Sequence, residues 1–347
     1  MGVRVGFLGV GYMGQLAHLH SFSRVPGCEV AAIAELRPAL AKAVAEKYRV
    51  ARVYRDHEEL LADQSIDAVV CAQPYHRNYY LGKAVLDAGK ALLTEKPMVA
   101  RSEDARELVE IAERKGVVYG VGFMKRHDPG VHLAREAVAG FIESGELGAL
   151  RMVDTTCFLG DWLQHPGAPI TSGEPEPEDE FVARYPEFLS EALYEAYDHF
   201  LNIYSHNVNL LHFVLPAAPL VCETAVRAGE SYLVSLRQGE TLISLRGTPT
   251  RSHQWEESTV LFFEKGRVAI YSATPLNRQA VARVFVYREK AGLLSETQLF
   301  PPVEWAFERQ AAAFIEAVGR GAALTTAGKH CVADVELMEE VFRQIGG

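Results

Sequence analysis

Over the first third of the chain, short runs of β-branched and apolar residues alternate with stretches of helical period. That is the signature of successive βαβ units around a parallel sheet. The runs 3–8, 29–34, 67–72, 91–94 and 117–122 are the predicted strands. Between them, 102–115 carries the clearest helical signal, with Ser102 as a capping hydroxyl, Glu103 and Asp104 at the positive end, and Lys115-Gly116 at the close. Residues 1–124 read as one doubly wound domain and 125–347 as a second.

The pattern changes after a helix near 130–144. Strands predominate from about 149, at 150–158, 220–228, 232–237, 241–246, 258–264, 267–272 and 282–287, with Lys265-Gly266 as a hairpin turn. Their spacing predicts a mostly antiparallel sheet, which needs only one face covered by its own chain. The open face predicts a homodimer or homotetramer. Inside this region lies a stretch, 161–198, that includes the Pro- and Glu-rich run 173–180. It reads either as a solvated loop or as a lid over a substrate, with Trp162 and His165 as contacts. A terminal amphipathic helix, 303–319, is placed to pack back on the first domain.

Composition narrows the class. The chain has 347 residues, with 35 Lys and Arg against 45 Asp and Glu, a formal charge of -10, and no basic tract. A nucleic acid or an anionic membrane is therefore not the expected partner. Five cysteines, at 28, 71, 157, 222 and 331, form no close pair, and no apolar run reaches membrane-spanning length. The expectation is a cytoplasmic protein with reduced thiols.

Candidate chemistry begins at Gly9-Val10-Gly11-Tyr12-Met13-Gly14. This Gly-x-Gly-x-x-Gly run follows the first strand at the mouth of the first helix, where the glycines allow a tight turn, close approach of a pyrophosphate and close helix–strand contact. Glu35 ends the second strand 21 residues after Gly14, where an acid accepts hydrogen bonds from an adenosine ribose. A carboxylate there repels a ribose 2′-phosphate and favours NAD, whereas Arg37 could grip that phosphate in NADP or stack on adenine. Glu95-Lys96-Pro97 follows the fourth predicted strand at the carboxyl edge of the sheet, where ligands of open α/β folds bind. Beside an oxidised nicotinamide, Lys96 would have a lowered pKa suited to proton transfer.

The second half offers a 17-residue helical stretch, 199–215, with no Asp, Glu, Lys or Arg. At about 100° per residue, His199, Asn202, His206 and Asn209 share one side, and apolar residues fill the opposite arc. The stripe either closes an internal hydrogen-bond network or meets a hydroxylated ligand in a cleft. It lacks carboxylate and thiolate ligands, so no metal site is expected.

The glycine motif, Gln73-Pro74, Glu95-Lys96-Pro97 and Gly122-Phe123-Met124-Lys125-Arg126, followed by an antiparallel domain, resemble the Gfo/Idh/MocA oxidoreductases. The implied fold is α/β: an N-terminal Rossmann dinucleotide-binding domain, then a C-terminal α+β domain with a large, mostly antiparallel open sheet. By this resemblance, Lys96 corresponds to the family's motif lysine and His206 to the histidine of an Asp-x-x-x-His motif, with Asn202 standing where the aspartate would be. Gln73 and Pro74 match a Thr-Pro pair that lines the dinucleotide, Asn78 replaces a histidine near the cofactor, and Arg126 fits an active-site position.

The cofactor set so read is Gly9, Gly11, Tyr12, Met13, Gly14, Glu35, Arg37, Gln73, Pro74, Asn78, Glu95 and Lys96. The catalytic group is Lys96, His206 and Asn202, and the substrate contacts are Lys96, Arg126, Trp162, His199, Asn202 and His206. The implied activity is NAD-dependent hydride transfer, with NADP as the second cofactor, on a small-molecule sugar, polyol or cyclitol. Two alternatives stay open: an NAD-retaining glycoside hydrolase working by transient oxidation and elimination, and a non-catalytic dinucleotide-binding regulator.

Overall fold

The protein is described by a computed structural model that covers residues 2–346 except 165, 166, 176 and 179, and omits the side chain of Lys290. His165, one of the two expected lid contacts, lies outside the described residues. The chain divides into two compact units. Unit 1 comprises residues 1–123, 166–185 and 307–335, and unit 2 comprises 124–165, 186–306 and 336–347.

Unit 1 begins with β1 (Val3–Leu8), a π-helical segment Gly14–Leu19 running into α1 (His20–Phe22), β2 (Cys28–Ala34) and α2 (Pro38–Tyr48). It continues with β3 (Arg52–Tyr54), α3 (His57–Ala62), β4 (Ala68–Cys71), α4 (Asn78–Asp87), β5 (Ala91–Thr94), α5 (Ser102–Lys115) and β6 (Tyr119–Val121). Among the described residues, six strands form a parallel sheet in the order β3-β2-β1-β4-β5-β6. Strand order reverses between β1 and β4, and the crevice at such a switch point, outside the carboxyl ends, is where open α/β sheets bind ligands. β1, β4, β5, β6 and the second half of β2 are mostly buried, as strands of a parallel sheet covered by helices require, whereas the edge strand β3 is not.

Helix α5 ends at Gly116 in the left-handed region (φ 66°), as the Lys115-Gly116 signal predicts. Its start differs from expectation: the N-cap is Arg101 with no side-chain cap, and Ser102 sits one residue inside. Strand β3 went unread because three residues are too short to show a period.

Unit 2 opens with α6 (Pro129–Ser144), β7 (Leu150–Leu159) and α7 (Tyr194–Val214), which stops where Leu215 turns extended before Pro216. The sheet continues with β8 (Val221–Ala228), β9 (Ser231–Gln238), β10 (Thr241–Thr250), β11 (Glu256–Phe263), β12 (Gly266–Tyr271), β13 (Arg283–Lys290) and β14 (Leu293–Leu299). Two helices follow, α8 (Ala306–Arg320), whose residues from Phe307 on belong to unit 1, and α9 (Val332–Gly346), which had no counterpart in the sequence reading.

The sheet order is β14-β13-β12-β11-β7-β10-β9-β8, antiparallel at every pairing except the parallel β7–β10. The β11–β12 turn is Glu264-Lys265, one residue earlier than predicted, and β14, exposed over its first five residues, was missed because its apolar residues do not alternate. Burial alternates along β9 and β11, as one-sided strands require. Helices α6 and α7 pack on the inner face. Met152, Val226, Leu233 and Leu242 stay exposed on the sheet.

Candidate dinucleotide and alcohol sites

In unit 1 the glycine loop runs straight off β1. Gly9 is left-handed (φ 83°), a conformation that favours glycine, and a Cβ there would also crowd the Gln73 side-chain amide. A Cβ on Gly14 would meet the Gly9 carbonyl oxygen at 2.9 Å. At Gly11 the nearest atom to an added Cβ is Arg37 Nη2, 4.0 Å away, leaving the loop open to a close-approaching group. Tyr12 and Met13 are half-buried at the helix mouth.

Glu35 and Arg37, read separately in the sequence, form an ion pair. Arg37 donates from Nε to Glu35 Oε1 (2.7 Å), from Nη2 to Oε2 (3.2 Å) and from its backbone N–H to Oε1 (3.2 Å), and the Val10 N–H donates to Oε2 (3.1 Å). The buried carboxylate is thus fully engaged within the unit. Gln73 is held from the other side by Arg77 Nη1, which donates to its Oε1 at 2.9 Å. Pro74 beside it is exposed.

The Glu95-Lys96-Pro97 turn leaves β5 with Glu95 buried. Oε1 of Glu95 stands 2.5 Å from His18 Nε2, and Oε2 accepts the Lys96 N–H at 3.0 Å. Burial raises the carboxyl's pKa, but the hydrogen bond and charge of His18, together with Lys96, outweigh it and hold the group below its usual range. Asn78, fully buried, donates from Nδ2 to the carbonyls of Glu95 (2.8 Å), Pro97 (3.1 Å) and Met98 (3.2 Å). Glu95 and the Nδ2 amide of Asn78, both read as cofactor neighbours, also brace the turn that carries half-buried Lys96. His18 gave no sequence signal, because its partner lies 77 residues away.

The described residues between 167 and 185 form a strap that is anchored to unit 1 at several points while much of its Pro- and Glu-rich run stays exposed. Gln15 donates from Nε2 to the Ile170 carbonyl (3.0 Å) and accepts the Ile170 N–H (2.8 Å). Glu174 accepts from the Ala39 and Leu40 N–H groups (2.9 and 3.0 Å). Phe181 stacks on Tyr80 (5.1 Å between centroids), and Arg184 makes two 2.8 Å bonds to Asp104. Each anchor stands in the first turns of a helix that follows a strand, so the strap runs along the carboxyl edge of the parallel sheet.

In unit 2, α7 begins at Tyr194, five residues before the predicted start, which adds Asp198 to the polar line of Asn202 and His206 at four-residue spacing. The line is not enclosed as expected: Asn202 is exposed, His199 and His206 are half-buried, and only Asn209 is buried. His212 is half-buried rather than core. Arg126 is buried, and Nε and Nη2 both donate to the Asn209 carbonyl (3.3 and 3.0 Å) beneath the Phe213 ring. Trp162 is exposed.

A further buried group left no signal in the sequence. Lys125 is buried in an ion pair with Glu257, whose Oε1 also accepts from Asn207 Nδ2 at 3.0 Å. Among the described residues no group of three His, Cys, Asp or Glu side chains is arranged to hold a metal ion, and no helix is long and apolar enough to cross a membrane.

Residues 3–123 match the model of an oxidoreductase family with an NAD-binding Rossmann fold. Residues 3–123 form a Gfo/Idh/MocA dinucleotide-binding domain. Curated relatives of this Gfo/Idh/MocA domain include levoglucosan dehydrogenase of Pseudarthrobacter phenanthrenivorans, 29% identical over 49% of this chain and 44% of that protein. Another is inositol 2-dehydrogenase of Acidothermus cellulolyticus, 37% identical over 37% of this chain and 38% of that protein. The match spans under half the length of these curated relatives.

Solved structures extend the likeness, at the level of fold, to the whole chain. A 3-ketoreductase from Actinomadura kijaniata in complex with NADP and TDP-benzene superposes with a TM-score of 0.76 at 19% identity, over 99% of this chain and 98% of that one. A putative myo-inositol dehydrogenase from Sinorhizobium meliloti gives 0.71 at 21% identity, over 99% and 97%. The crevice fits the dinucleotide that the Gfo/Idh/MocA fold implies. The loop is open at Gly11, and Oδ1 of buried Asn78, just behind the Lys96 turn, has no hydrogen-bond partner among the described residues.

Proposed function

We propose that the chain is an NAD(P)-dependent oxidoreductase that transfers hydride between the nicotinamide and a secondary alcohol of a sugar, cyclitol or sugar derivative. The observation that carries this reading is the placement of three motifs on one sheet edge. They are the glycine loop after β1, the Gln73-Pro74 corner after β4 and the Glu95-Lys96-Pro97 turn after β5. Gly9, Gly11 and Gly14, with Tyr12 and Met13, would hold the pyrophosphate, and the Glu35–Arg37 pair the adenosine. When bound, the nicotinamide supplies the hydride acceptor or donor.

Lys96 orients the alcohol oxygen and stabilises the charge developing on it. His206 takes the hydroxyl proton, a task suited to imidazole near neutral pH. Asn202, His199 and Trp162 bind neighbouring hydroxyls and the ring face; an amide at 202 fixes a ligand but relays no proton. Arg126 supports this surface through α7. The levoglucosan and inositol dehydrogenases named above act on polyhydroxylated rings, which supports the substrate class. The exposed apolar residues of the second sheet support a homo-oligomer.

A second reading, the NAD-retaining glycoside hydrolase, is favoured by the strap, whose fastening along the carboxyl edge suits slow release of a dinucleotide. The test of the first reading is Lys96→Met. Turnover falls at least about 100-fold while dinucleotide affinity stays within about threefold; full turnover in the variant contradicts the role.

A further inference from the structure

The strap places an acid where a cofactor-discriminating anion site would be. Glu35, Leu36 and Arg37 join β2 to α2, the position that meets the adenosine ribose in dinucleotide-binding folds. Pro38 opens α2 without an N–H, so Ala39 and Leu40 are the first donors of that helix end. Both are taken by one carboxylate, Glu174, through Oε1 at 2.9 Å and Oε2 at 3.0 Å. Arg37 acts electrostatically on the same carboxylate while its Nη2 stands over Gly11. The Ala39 N–H leads the interactions that hold the Glu174 carboxyl below its usual range.

Glu174 is not a loose side chain that happens to lie there. Ile170, four residues earlier, is tied to Gln15 on both its N–H and its carbonyl, and Phe181 and Arg184 are tied to Tyr80 and Asp104.

We propose that Glu174 is a cofactor-specificity residue: its carboxylate occupies the amide donors that a ribose 2′-phosphate would need, and so sets the chain for NAD against NADP. Two backbone N–H groups at a helix start beside a guanidinium are the donor set that grips a phosphate. Here the donors are filled from within the chain, and the guanidinium is spent on Glu35. A 2′-phosphate has to displace Glu174 and then sit among two carboxylates, whereas the uncharged 2′-hydroxyl of NAD does neither. The proposal rests on the dinucleotide reading above and deepens it by naming what selects between the two cofactors.

Calorimetric titration of the full chain with NADH and with NADPH tests it, using wild type, Glu174→Gln and Glu174→Ala. Wild type binds NADH more tightly. Both variants gain about tenfold or more in NADPH affinity, with NADH affinity within about threefold, and the gain shrinks as salt is added. Hydrogen exchange supplies a second readout: the Ala39 and Leu40 amides exchange faster in Glu174→Ala and slow again on adding NADPH. An NADPH-to-NADH affinity ratio that is unchanged in both variants, or wild-type protein that already binds NADPH as tightly as NADH, overturns the proposal and leaves dinucleotide binding intact. Wild-type protein that binds neither nucleotide overturns the dinucleotide reading and this proposal with it.

Discussion

His18 Nε2 stands 2.5 Å from Glu95 Oε1, a buried contact between the helix that follows the glycine loop and the turn that carries Lys96. It ties the two motifs of unit 1 that the chemistry needs to one rigid spacing. Glu95→Ala leaves His18 buried without its partner and lowers stability by about 3 kcal/mol, read from urea unfolding; a loss under about 1 kcal/mol contradicts the bracing role.

The same pair sets an acid-side dependence. The Glu95 carboxyl releases its proton more readily folded than unfolded, so its contribution is fully present above its unfolded value of 4.5 and is lost as pH falls through the lower folded value. Wild type therefore loses more stability than Glu95→Gln between about pH 5 and pH 3. Parallel loss in the two proteins assigns the acid sensitivity elsewhere.

Asn78 reaches three backbone carbonyls of the Lys96 turn with one amide nitrogen. Asn78→Asp keeps the shape but faces those carbonyls with an acceptor, so the turn loses its donor. Stability drops by about 2 kcal/mol or more, and turnover falls with it. A variant as stable and as active as wild type shows that the brace is dispensable.

Arg184 satisfies both oxygens of Asp104, itself buried at the start of α5. Arg184→Ala unfastens the end of the strap, and limited chymotrypsin digestion near Phe181 and Tyr185 speeds up about tenfold. Unchanged cleavage means that Ile170, Glu174 and Phe181 hold the strap without it.

Burial pushes the thiols of Cys28, Cys71 and Cys157 up to about 12 and that of Cys222 up to about 11, and Cys331 is also buried. All five are free. The native protein is therefore expected to resist a disulfide-exchange reagent at neutral pH, with half-buried Cys28 reacting first, and all five thiols titrate in denaturant. Rapid native titration of Cys71 or Cys157 contradicts the packing described.

The parallel sheet was legible where a strand is a continuous apolar run, as in Ala91–Thr94, and where a turn residue is specific, as at Gly116. The glycine loop and the Lys96 turn were legible because their chemistry is written in consecutive residues. What joins them was not. Gln15–Ile170, Leu40–Glu174 and His18–Glu95 are 155, 134 and 77 residues apart, so the strap read locally as a Pro- and Glu-rich loop. Asp198 was missed because it lies in the charged first turns of α7, outside the uncharged stretch that marked the helix. The buried Lys125–Glu257 pair left no sequence signal, since charges in a strand and a turn ordinarily mark solvent.

The most direct measurement mixes the full chain with NAD and a panel of inositols and sugars, following reduced nicotinamide and released free sugar together in wild type and Lys96→Met. The account predicts that at least one polyhydroxylated ring yields reduced nicotinamide in step with its oxidation in wild type and almost none in the variant. Free sugar appearing without net reduced cofactor, or equal rates in the two proteins, contradicts it.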